Sequence, residues 1–125
     1  TVTNNDVEDT TPPPPPPVVL TPDTCIADMA LAYQNKWITK KAVYAKLVAD
    51  CRLLKVLFRT RDHLVQVLPL GHSTKDKSLL VATLAAIKVT LNHMDLLAKD
   101  ASNTKDAVEL IYTYTTWFRN HELLQ

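Results

Sequence analysis

Seven cationic residues fall between Lys40 and Arg61 (Lys40, Lys41, Lys46, Arg52, Lys55, Arg59 and Arg61), against one acid, Asp50. Such a run does one kind of chemistry well: it binds anions. Lys41, Arg52, Lys55 and Arg59 fall close to one line on a helix, because eleven residues make nearly three full turns. That line suits an acidic peptide, a phosphorylated partner or a nucleic-acid backbone. A solvated helix face is the commoner fate of such a run. Few aromatics interleave with it, and no Gly-rich or RNP-like motif accompanies it, which disfavours nucleic acid.

The remaining reactive side chains do not assemble into a catalytic pattern. His63, His72, His93 and His121 form no H-E-x-x-H or two-His-one-carboxylate arrangement. His93 and Asp95 are two apart on a helix and point to different faces. There is no C-x-x-C, no G-x-S-x-G and no P-loop, and no pair of carboxylates is singled out for acid–base work. The reading is therefore of a non-enzymatic protein, with no metal and no cofactor. Cys25 and Cys51 lie about equally far before and after Trp37-Ile38. A disulfide between them needs Cα atoms within about 7 Å; buried free thiols on two core stripes are the favoured reading. Tyr112 falls with Lys105, Glu109 and Thr116 on an exposed helix face, where a Tyr can anchor a contact.

The elements that position these residues are helices. One Gly, Gly71, in 125 residues leaves little chain able to make the positive-φ turns of a β-rich fold. The apolar fraction of 46% is enough for one core, and a net charge of +1 sets up no global field toward nucleic acid or membrane. The fold class is all-α: an antiparallel bundle of four main helices plus one short helix, residues 21–125, preceded by a flexible acidic and proline-rich tail, residues 1–20. Pro12–Pro17 predicts a short polyproline II rod. It reads as a spacer, as a ligand for a polyproline-binding partner, or, with Val18–Leu20, as a cap folded back on the domain.

Thr21-Pro22-Asp23 predicts an N-cap and first turn, with a helix from about Pro22 to about Lys36. Thr39 is the expected cap of a second helix, about Lys40 to about Arg59. Arg59-Thr60-Arg61-Asp62 is expected to break it, and Leu64, Val65 and Leu68 form a short amphipathic piece closed by Pro69 and Gly71. The alternative is one helix from Lys40 to Leu68. Ser73, with Asp76, caps a spine helix over Ser73–Lys99 whose stripe is Leu80, Leu84, Ile87, Leu91, Met94 and Ala98. Its other faces are apolar enough that it is expected to sit centrally, covered on several sides. A last helix runs from about Thr104 to about Leu123.

On the spine's polar line of Lys77, Lys88, Asn92, Asp95 and Lys99, two small apolar residues interrupt: Val81 and Ala85. They mark a shallow groove for a further segment, unless a neighbouring helix covers them. The stretch Asn103–Phe118, N-T-K-D-A-V-E-L-I-Y-T-Y-T-T-W-F, loosely resembles the second helix of MIT or tetratricopeptide hairpins; no functional residue is carried across. The expected function is a non-catalytic protein–protein interaction domain, an adaptor or scaffold. It would bind an acidic or amphipathic segment of a partner protein through Lys41, Arg52, Lys55, Arg59, Val81, Ala85 and Tyr112. Homo-oligomerisation is the alternative. The absence of a long uncharged run argues against a membrane span, and the sparse cysteines favour an intracellular setting, cytoplasmic or nuclear.

Overall fold

The computed structural model describes residues 19–71 and 74–123, and in them the chain is all-helical apart from one isolated β-bridge. Four α-helices follow in order: α1 (Pro22–Gln34), α2 (Lys41–Val67), α3 (Thr74–Ala98) and α4 (Lys105–Leu123), with a 3-10 turn at Leu68–Leu70. The proline run Pro12–Pro17 and the expected cap Ser73 lie outside the described residues.

Local chemistry sets each start and stop. Thr21 and Thr24 form a reciprocal cap at α1: the Thr24 amide donates to Thr21 Oγ1 at 3.1 Å, and the Thr21 amide donates to Thr24 Oγ1 at 2.9 Å. Lys36, just past α1, holds φ at +65°, the left-handed conformation that usually falls to Gly. Thr39 does not cap α2. Lys40 occupies that position without a side-chain bond, while Thr39 Oγ1 donates to the Ser102 carbonyl at 2.7 Å. At the end of α3, Asn103 Nδ2 donates to the Leu97 carbonyl at 2.8 Å. Thr104 Oγ1 then accepts from the Ala107 amide at 3.3 Å, starting α4.

The expected break at Arg59–Asp62 is absent; α2 runs unbroken to Val67. No Pro or Gly interrupts it, and its polar residues are satisfied in place. Thr60 Oγ1 donates to the Val56 carbonyl at 2.9 Å, and the Arg61 guanidinium binds Asp62 while lying 5.1 Å from the centre of the Phe58 ring. The short element is accordingly the Leu68–Leu70 turn around Pro69, not a helix at Leu64–Leu68.

Neighbouring helices run antiparallel. Tyr33 stacks on Tyr44 and Asp23 pairs with Lys55, so the start of α1 lies beside the later part of α2. Asp50 of α2 meets His93 of α3 at 2.5 Å. Asp95 of α3 accepts from Thr115 Oγ1 at 2.8 Å and pairs with Arg119 at 2.7 Å, joining α3 to α4. Tyr114 of α4 donates to Asp28 of α1 at 2.5 Å. The core these contacts enclose centres on Met29, Leu47, Leu54, Ile87, Leu91, Met94, Ile111 and Tyr114.

The central helix is α2, not the spine predicted at Ser73–Lys99. α2 packs on both α1 and α3, and its Phe58 meets Phe118 of α4 edge-on at 5.3 Å. α3 is covered only in part. Leu84, expected in the core, is exposed, and Thr83 and Thr90 are buried instead. Each Thr donates its hydroxyl to the carbonyl four residues back, Leu79 and Ala86, leaving its methyl free to pack. The buried stripe therefore sits about a residue out of phase with the leucine count in the first half of α3.

Cys25 and Cys51 are joined in a disulfide with Cα atoms 6.2 Å apart, which corrects the expectation of free thiols. The α1–α2 hairpin brings them to the same height, as its turn at Trp37-Ile38 requires, and both are fully buried.

Candidate functional site

On α2, Leu47, Cys51 and Leu54 mark the buried side. A helix repeats every 3.6 residues, so Ala45, Ala49, Leu53 and Val56 fall on the opposite side. Leu53 and Val56 are 46% and 57% exposed. On α3, Ile87, Met94 and Ala98 face the core, and Ala82, Ala85, Val89 and Leu96 fall opposite; Val89 and Leu96 are 67% and 66% exposed.

The Asp50–His93 contact fixes how these two stripes relate. It marks the seam where α2 and α3 meet. Away from the core, the next residues round each helix are Leu53 on α2 and Val89 on α3. Because the helices are antiparallel, both stripes turn to the same side of the hairpin. They form one apolar strip on its outer side, away from α1 and α4. Val81, 68% exposed, and Ala85, also exposed, extend the α3 half of the strip toward the 68–74 connection; no neighbouring helix covers them.

Two lines of cations border the strip. Lys41, Arg52 and Arg59 run along α2, and Lys77, Lys88 and Lys99 run along α3. All six are exposed, and none is paired with a carboxylate among the described residues. In each line the first two residues are eleven apart, which returns the side chain to nearly the same bearing. The nearby carboxylates are engaged already: Asp50 with His93, and Asp95 with Thr115 and Arg119. Burial raises the pKa of Asp50, and the His93 contact only partly offsets this.

The expected site residues divide accordingly. Val81 and Ala85 lie on the outer side of the hairpin, and Lys41, Arg52 and Arg59 run along its α2 border. Lys55 belongs elsewhere: its ammonium binds Asp23 at 2.9 Å and ties α2 to α1. Tyr112 is half-buried and packs against the core, although Lys105, Glu109 and Thr116 on its face are exposed. Leu53, Val56, Val89 and Leu96 were not singled out by the cationic and core patterns. Their helical spacing with Ala49 and Ala85, steps of four and three on α2 and of four and seven on α3, is legible in the sequence, but it is masked by the stronger core stripe on the same helices.

Beyond the strip, a shallow cavity of about 520 Å³ opens among Leu20, Phe58, Trp117, Phe118 and His121. Leu20 is half-buried against the core there and Val19 is exposed, so the chain enters the domain at this end of α4. By length and composition alone, α3 is also apolar enough to cross a membrane, a test that the core helix of a soluble protein passes as well. No family model matches the chain, and neither a curated protein nor a solved structure matches it.

Proposed function

We propose that residues 21–125 form a four-helix bundle that works as a non-catalytic protein-interaction domain, an adaptor or scaffold. Its docking surface is the outer side of the α2–α3 hairpin, and its ligand is an amphipathic helix of another protein. One observation carries this reading: Leu53, Val56, Val89 and Leu96 stand in solvent on the outer side of a pair of helices whose inner side holds the core. Contiguous exposed apolar strips of this kind mark interaction sites in soluble domains. The groove between two antiparallel helices accepts a third helix by the same ridge-and-groove packing that joins the first two.

The test is a double variant, Val56→Glu with Val89→Glu, compared with the native chain in cross-linking capture from cell extract. Both side chains are already mostly wet, so the melting temperature should stay within about 2 °C. Proteins captured by the native chain should be lost. An unchanged set of captured proteins, with folding intact, refutes the docking surface.

A further inference from the structure

We infer that the partner helix is acidic on both flanks of its apolar stripe. This rests on the docking surface proposed above and adds the charge of what occupies it. Across the face the order is cation line, apolar stripe, seam, apolar stripe, cation line, with exposed Lys46 between Leu53 and the seam. A helix laid along the seam places its own apolar residues on Leu53, Val56, Val89 and Leu96. Its flanking positions then come down on Arg52 and Arg59 to one side and Lys88 and Lys99 to the other. None of these four cations has a carboxylate partner among the described residues.

The same arrangement disfavours a second copy of this chain. Two such faces laid together would oppose lysine and arginine lines, with the nearby Asp50 and Asp95 already engaged, and like charges in register are repulsive. The net charge of +1 hides the asymmetry, because the balancing acids sit elsewhere in the chain. The chemistry singled out is Glu- or Asp-rich on both sides of a Leu- or Ile-type stripe. Length follows from the strip: Ala42 to Thr60 on α2 is roughly 27 Å, or about 18 residues of partner helix.

The experiment uses the intact chain and three synthetic helical peptides of about 18 residues. They share one leucine stripe and differ only at the flanks: Glu, Gln or Lys. Affinity is measured by titration at low and high salt. The Glu peptide should bind at least about ten-fold more tightly than the Gln peptide, and this advantage should shrink as salt rises. The Lys peptide should not bind. Arg52→Glu with Lys88→Glu should reverse the order of the Glu and Lys peptides. Equal binding of the Glu and Gln peptides overturns the inference and leaves the docking surface standing. Binding of no peptide overturns the surface as well. Glu-peptide binding that survives Val56→Glu with Val89→Glu places the contact elsewhere and overturns both. Two further controls also overturn the inference: cosedimentation with phosphatidylserine vesicles without peptide binding, which substitutes a lipid surface, and micromolar self-association in sedimentation, which substitutes a second copy.

Discussion

Reduction of the Cys25–Cys51 bond is expected to cost a large part of a typical domain's margin of stability. The bond joins residues 26 apart in sequence, across the α1–α2 hairpin. Cross-linking a loop of that length removes chain entropy from the unfolded state. With n near 26 the loss is about 12 cal/mol/K, or about 3.5 kcal/mol at room temperature. Reduction removes no heavy atom, so it mixes less packing loss into the result than a truncation of the two buried side chains would. The assay is urea unfolding followed by helical circular dichroism, with and without a phosphine reductant. A slope of about 1.5 kcal/mol/M, in the range for small domains, converts the loss into a midpoint lower by roughly 2 M. Titration of thiols in unfolding, non-reducing buffer checks the starting state. A midpoint that moves by less than about 0.3 M, or two reactive thiols before reduction, refutes the reasoning.

Two smaller predictions follow from single residues. The Tyr114 hydroxyl is pushed up to about 12, first by burial and then by its hydrogen bond to Asp28. The folded state therefore holds a proton that the unfolded chain releases near pH 10, so stability falls as pH rises from about 10 to about 12. Tyr114→Phe should abolish that slope in urea titrations across this range, and cost about 1.5–3 kcal/mol at neutral pH by leaving Asp28 without its donor. A variant with the native slope refutes the assignment. Lys36→Gly should stabilise the chain by about 0.5–1 kcal/mol, because φ at +65° strains any side-chain-bearing residue more than it strains glycine. A lower melting temperature in that variant contradicts the argument.

The helical class and most element ends were legible because they rest on local chemistry. One Gly, the Thr21-Pro22-Asp23 start and Pro69 each act within a few residues. What was not legible depended on which helix covers which. The leucine count on Ser73–Lys99 treated Leu80 and Leu84 as core, but α1 and α4 are too short to cover that end of the hairpin. Thr83 and Thr90 took core positions by returning their hydroxyls to the backbone, which a hydropathy count scores as polar. The break expected at Arg59–Asp62 did not form because a helix accommodates polar residues that are solvated or find a partner close by, as Arg61 does in Asp62 and Thr60 in the Val56 carbonyl. Lys55 joined the cationic line on helical spacing alone; its pairing with Asp23 depends on how α1 crosses α2. The seam contact between Asp50 and His93 joins residues 43 apart, and no local pattern announces it.

The two ends of the molecule are secured very differently. At one end the two connectors are stitched together: Ile38 bridges Asn103, the Thr104 amide donates to the Trp37 carbonyl at 3.0 Å, and Lys40 pairs with Asp100. At the other, beyond Asp62, α2 and α3 pack chiefly on each other among the described residues, with Leu64 and Thr83 among the few buried ones. Opening free energy should therefore fall along the hairpin from the stitched end to the Leu68–Leu70 turn, since local stability follows buried contact. Amide exchange would read this as a gradient, slow around Leu47 and Met94 and fast past Leu64. A ligand helix seated on Val81 and Ala85 would steepen protection where the chain itself supplies least, so docking and the ordering of this end become one event.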